Sequence, residues 1–178
     1  MIRIETILLA CRHLNPDQSG FENEYSAMEP IAGKPVLEWT IDALCGSGGI
    51  GGILVIGPDE LDKLLCMRYV DRRLAPCALT AERIFQQVFP HQSNESVQGY
   101  LLMPCETVLL TTAIINRILL RFEQSREELF FPFISNTRAG NFPPLNKKEF
   151  SLKGKALIPG YLGLSRSIKY LPALFKLL

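Results

Sequence analysis

A proline-initiated apolar helix, a glycine-rich turn and a short aliphatic run, all between Pro30 and Pro58, limit the folds open to this chain more than any other feature. Val36, Leu37, Thr40, Ile41 and Leu44 recur at the spacing of one helical face. Pro35 suits the first helical position, where its missing N–H would have no partner in any case. Cys45-Gly-Ser-Gly-Gly then stops the helix, because glycine takes left-handed backbone angles without a Cβ clash. Ile53 to Ile56 is a continuous apolar run, as expected of a strand covered on both faces in a parallel sheet. Helix, turn and buried strand in that order form half of a βαβ unit.

The remaining segments extend the alternation. Ile2 to Ala10 reads as a first strand, and Cys11 to Glu29 as a polar loop, long for a strand-to-helix connection. Asp59 is placed to cap a short helix through Met67. Tyr69 to Cys77 is ambiguous, with a strand and a turn around Pro76 as one reading. Thr80 to Phe89 reads as a helix, His91 to Gln98 as a polar loop and Gly99 to Pro104 as a buried strand. Thr111 to Phe122 forms the second strong helix, with Ile114, Ile115, Ile118, Leu119 and Phe122 on one face. Phe130 to Ile134 and Glu149 to Leu152 read as strands and the last dozen residues as a helix. Strands alternating with helices give an α/β fold, an open sandwich.

The chain has 178 residues, enough for one domain with a substantial core. Nineteen basic residues against eighteen acidic ones leave no basic excess, which argues against a dedicated nucleic-acid binder. No apolar run approaches the length of a membrane span, and Glu5 interrupts the N-terminal run, so neither a membrane anchor nor a signal peptide is expected. The expected location is the cytoplasm. Five widely spaced cysteines without a Cys-x-x-Cys pair suggest neither a disulfide framework nor a zinc site. Cys11 and His13 read as a reduced thiol and a loop histidine rather than as a metal pair.

In an open α/β sheet ligands bind beyond the carboxyl ends of the strands, so the loops after Ala10, Gly57 and Pro104 hold the candidate chemistry. Pro30, Ile31, Gly33, Lys34, Pro35 and Leu37 match the phrase Pro-Ile-x-Gly-Lys-Pro-x-Leu. On these residues the chain resembles the nucleotidyltransferases of the sugar-phosphate and molybdenum-cofactor type. The resemblance spans most of the chain and implies a three-layer α/β sandwich, a mostly parallel sheet with helices on both faces. Relatives continue with further strands, so it also implies a single domain over residues 1–178 that is short at its C-terminus.

What the resemblance implies about chemistry rests on four places. The family wraps the triphosphate in a glycine-rich loop, where only a bare backbone approaches phosphate closely. The chain has Leu9-Ala10-Cys11-Arg12-His13 there, with Leu9 and Ala10 matching and the glycines gone. Leu9, Ala10, Cys11, Arg12 and Lys34 are the nucleotide-binding candidates. Arg12 either meets a phosphate or lies on a solvated loop, and Lys34 is either the motif lysine or a solvated charge at a helix start. A second lysine of the family, which neutralises phosphate charge, is Ser26 in this chain. The aspartate of Asp-x-Pro-Leu-Leu-Thr is Glu106, followed by the matching Leu109, Leu110 and Thr111. Glu106 is the candidate ligand for Mg2+, a hard cation that prefers carboxylate oxygen. Its other reading is a carboxylate favoured by a helix N-terminus. Lys34 and Glu106 are the catalytic candidates. A Gly-Gly-Asn motif is matched only loosely near Pro159, Gly160 and Tyr161, and Lys147 and Lys148 lie upstream.

Two functions follow as expectations. One is transfer of a nucleoside monophosphate from a nucleoside triphosphate to a phosphorylated small molecule with release of pyrophosphate, impaired by the four departures. The other is a non-catalytic nucleotide-binding or assembly module, with the apolar end from Leu171 to Leu178 available for a homo-oligomer contact.

Overall fold

The computed structural model describes residues 2–12, 24–75, 97–135, 150–152 and 155–177. The expected helix over Thr80–Phe89, His13, Lys147 and Lys148 lie outside the described residues. A six-stranded sheet forms the middle layer. β1 (Ile4–Leu9) is central, parallel to β4 (Ile50–Ile56) on one side and to β6 (Gly99–Pro104) on the other. β5 (Arg72–Leu74) pairs in parallel beyond β4. Beyond β6 the sheet turns antiparallel through β11 (Gly163–Ser165) and β7 (Leu129–Phe130), giving the order β5-β4-β1-β6-β11-β7.

Successive strand residues face opposite sides, so β1 feeds two cores. Ile4, Leu8 and Ala10 meet α1 (Val36–Cys45) and α2 (Thr112–Ser125), while Ile7 meets Leu171 and Leu174 of α3 (Leu171–Leu177). Helices therefore cover both faces, as the sandwich requires. Among the described residues no helix is long and apolar enough to cross a membrane.

All five residues assigned to the inner face of α1 are buried. Pro35 is not the first helical residue. It stands one place earlier with extended backbone (ψ 141°), because it pairs with Pro30 across a hairpin of β2 (Pro30–Ile31) and β3 (Lys34–Pro35). Ala32 (φ 51°) and Gly33 (φ 77°) close that hairpin, the pattern of a primed two-residue turn. A left-handed alanine costs about 1–2 kcal/mol. Replacing Ala32 by glycine or asparagine is therefore expected to raise stability by about 0.5–1 kcal/mol, read as a higher urea midpoint with unchanged slope.

Three other sequence expectations are corrected. Asp59 caps no helix to Met67: two 3-10 helices, Asp59–Lys63 and Leu65–Tyr69, occupy that stretch, and Asp59 instead pairs with Arg73 at 2.8 Å. On α2, Ile115, Leu119 and Phe122 are buried and Ile118 partly so, but Ile114 is 44% exposed at the edge of the face. The strand expected over Phe130–Ile134 divides at Pro132, which has no N–H to offer a ladder. β7 stays in the main sheet, whereas β8 (Phe133–Ser135) joins β10 (Lys155–Pro159) and β9 (Phe150–Leu152) in a three-stranded antiparallel sheet.

Candidate functional site

β1 and β6 end side by side, with Leu9 opposite Pro104, so the segments that follow them leave the sheet together. The Cys105 N–H donates to the Leu9 carbonyl at 2.9 Å and extends the pairing one step past the strands. Leu9, Cys11, Arg12, Pro104, Glu106, Thr107 and Tyr161 line a cleft of about 520 Å³ at this edge. Of the residues singled out from the sequence, Leu9, Cys11, Arg12 and Glu106 are thus brought together. Ala10 lies fully buried behind them, its N–H donating to the Ile56 carbonyl at 2.8 Å.

Lys34 is not at the cleft wall. Its ammonium forms an ion pair with Asp42 and lies 4.5 Å from the centre of the Trp39 ring. Both partners belong to α1, so the helix that follows the motif lysine holds it on its outer side. Tyr161, at the third loosely matched motif, does reach the cleft.

Glu106 does not owe its place to a helix N-terminus. α2 begins at Thr112, its cap is Thr111, and its first turn carries no acidic residue. The carboxylate is held instead by a hydrogen bond of 2.5 Å from the Ser26 hydroxyl. Ser26 is buried on a 3-10 turn, Ser26–Met28, whose next residue Ala27 packs into the core. A hydrogen bond with Glu106 is among the influences on the neighbouring Cys105 thiol. Burial, then the Glu106 charge, pushes that thiol far above the usual range, so Cys105 stays protonated and serves as a donor rather than a nucleophile. Burial likewise pushes the Cys66 thiol up to about 12.

The floor of the site is fixed by α1. The Thr40 hydroxyl, on the helix's buried face, donates to the Cys105 carbonyl at 2.7 Å. The Thr107 hydroxyl donates to the Pro104 carbonyl at 3.1 Å, tightening the turn that presents Glu106. Sequence reasoning missed the Ser26–Glu106 and Thr40–Cys105 contacts. A hydroxyl among the aliphatic residues of α1 was the available signal, since a buried hydroxyl requires a partner.

Magnesium fits this arrangement in one mode. Among the described residues no cluster of three or more His, Cys, Asp or Glu could cage an ion by itself. One fixed carboxylate in an open cleft suits a hard cation that keeps its waters and binds jointly with substrate phosphates.

No protein-family model matches the sequence, and no curated protein sequence matches it. Solved structures do. A transferase described as hypothetical, from Thermus thermophilus, superposes with a TM-score of 0.71 at 20% identity, over 98% of this chain and 68% of its own. The 4-diphosphocytidyl-2C-methyl-D-erythritol synthase of Anaerococcus prevotii superposes with a TM-score of 0.64 at 10% identity, over 98% and 74%. A CMP:2-keto-3-deoxy-manno-octonic acid synthetase solved with CTP gives 0.61 at 10% identity, over 100% and 79%. The fold is that of the nucleotidyltransferases. At these identities the likeness is one of architecture, and this nucleotidyltransferase fold sets its open cleft at the ends of β1 and β6.

Proposed function

We propose that this cleft binds a nucleoside triphosphate together with magnesium, and that the chain is a nucleotidyltransferase of impaired activity. Convergence of Arg12, Glu106 and Thr107 at the paired ends of β1 and β6 carries the reading. Arg12 would meet the phosphates as a bidentate donor, and Leu9 and Cys11 would flank them. Glu106 would hold the magnesium, which when bound neutralises phosphate charge. Thr107 adds a hydroxyl beside it. The acceptor class is a phosphorylated small molecule, whose attack on the α-phosphorus would give a nucleoside-diphosphate-linked product and pyrophosphate.

Impairment follows from charge. Transfer of this kind depends on positioning and on stabilising charge that develops in the transition state. Ser26 is neutral where the resembling family has a lysine, and Lys34 is engaged by Asp42 and Trp39. Arg12 is the one cationic side chain along the described cleft wall. Incubation with each nucleoside triphosphate, magnesium and a panel of phosphorylated alcohols and sugars is expected to give nucleotide binding with little pyrophosphate. Release at ordinary enzymic rates, about 1–1,000 per second, would refute the impairment. Binding with no release at all would assign the chain to the non-catalytic, nucleotide-binding reading.

A further inference from the structure

Arg12 and Glu106, the cleft's cation and anion, lie ninety-odd residues apart in sequence, yet a single small residue touches both. The Ser26 N–H donates to the Arg12 carbonyl at 3.1 Å, and the Ser26 hydroxyl reaches Glu106 Oε1 at 2.5 Å. The same hydroxyl lies 3.3 Å from the Arg12 carbonyl. A hydroxyl has one proton to give, and the shorter contact to an ionised acceptor takes it. Ser26 is only 6% exposed, so water competes weakly for that proton.

We propose that Ser26 is the positioning residue of the cleft, its hydroxyl fixing the Glu106 side chain while its amide holds the backbone of Arg12. The proposal rests on reading the cleft as a ligand site. A glutamate has three side-chain torsions, and an unrestrained carboxylate at a cleft mouth would sample several rotamers. The Ser26 hydroxyl selects one arrangement before any ligand arrives. Outer partners of a metal-binding carboxylate act on affinity without touching the metal. Serine therefore acts here by orientation and supplies no charge.

The test compares wild type with Ser26→Ala, Ser26→Cys and Ser26→Thr in the full chain. The first readout needs no ligand: three-bond NMR couplings across the Glu106 side chain are expected to report one rotamer in wild type and an average in Ser26→Ala. The second is Mn2+ taken up by the protein beyond what the nucleotide alone chelates, with ATP, GTP, CTP and UTP in turn, followed by the electron paramagnetic resonance of free Mn2+ against protein-free controls. Ser26→Ala is expected to weaken Mn2+ by about tenfold or more, the usual cost of losing such a partner. Ser26→Thr restores both readouts, and Ser26→Cys, isosteric but a weak donor, falls between. If Ser26→Ala does not fold, Ser26→Cys supplies the same comparison. A single Glu106 rotamer retained in Ser26→Ala, or Mn2+ affinity in that variant equal to wild type, overturns the assignment. Wild type that takes up no Mn2+ refutes the ligand site, and the couplings then decide the role of Ser26 by themselves.

Discussion

Truncating Phe122 to alanine is expected to destabilise the protein by about 3–5 kcal/mol, the largest effect of any single core change proposed for this chain. Phe122 is fully buried where α2 crosses the sheet. Its ring stands edge-on to Phe130 of β7 at 6.1 Å, and the Arg166 guanidinium lies 4.7 Å from its centre while also donating to the Phe122 carbonyl. The backbone beneath cannot easily move in to fill the gap. A Cβ built on Gly99 would already stand 3.0 Å from the Phe122 ring and 2.9 Å from Ile4, so β6 and α2 are in contact along the glycine. The cavity would therefore stay largely open, and cost rises with residual volume. At about 2–4 °C per kcal/mol for a chain of this size, thermal unfolding should move down by roughly 6–20 °C. Ile114→Ala on the same helix, at the exposed edge, should stay within about 0.5 kcal/mol. Equal losses for the two variants would contradict the assigned face of α2.

The second large effect concerns Glu106, where fold and function separate cleanly. Glu106→Ala removes the carboxylate that receives the Ser26 hydroxyl and the Cys105 thiol, leaving both donors without it. Hydrogen bonds to a charged group contribute about 1.5–3 kcal/mol, so a stability loss of that size is expected. Glu106→Gln keeps the shape and an acceptor oxygen for Ser26, so its stability should lie close to wild type. Both variants lose the charge proposed to hold magnesium, and in both the magnesium-dependent part of nucleotide binding should vanish. Glu106→Asp draws the oxygen back by a methylene and out of reach of Ser26, and should fall between. Calorimetric titration with nucleotide, with and without magnesium, separates these cases. A glutamine variant that keeps the full magnesium effect would remove Glu106 from the metal role.

Local chemistry explains which parts of this account were legible in the sequence. The buried face of α1 followed from periodicity and the buried strand after it from a continuous apolar run, because each is decided within a dozen residues. The primed hairpin was hidden by the apparent helix start at Pro35, which serves the ladder instead. β11 gave no signal of its own, since its partners β6 and β7 are strands distant in the chain. The cleft was legible as the ends of β1 and β6, the topological rule for such sheets. Its working contacts were not. Ser26 stands eighty residues from Glu106 and resembles an uncharged loss until the 2.5 Å bond between them is seen. Lys34 shows the converse, a matching motif residue whose charge is held by Asp42, two turns along α1.

Titration with ATP, GTP, CTP and UTP, each with and without magnesium and followed by thermal unfolding, reads nucleotide binding in the cleft. A ligand that binds only the folded chain stabilises it by RT ln(1 + [L]/Kd), about 2.7 kcal/mol at a hundredfold excess over Kd. A magnesium-dependent rise in the midpoint is expected with at least one nucleotide, abolished by Glu106→Gln. No rise with any of the four would contradict the proposed function and leave the cleft without a nucleotide.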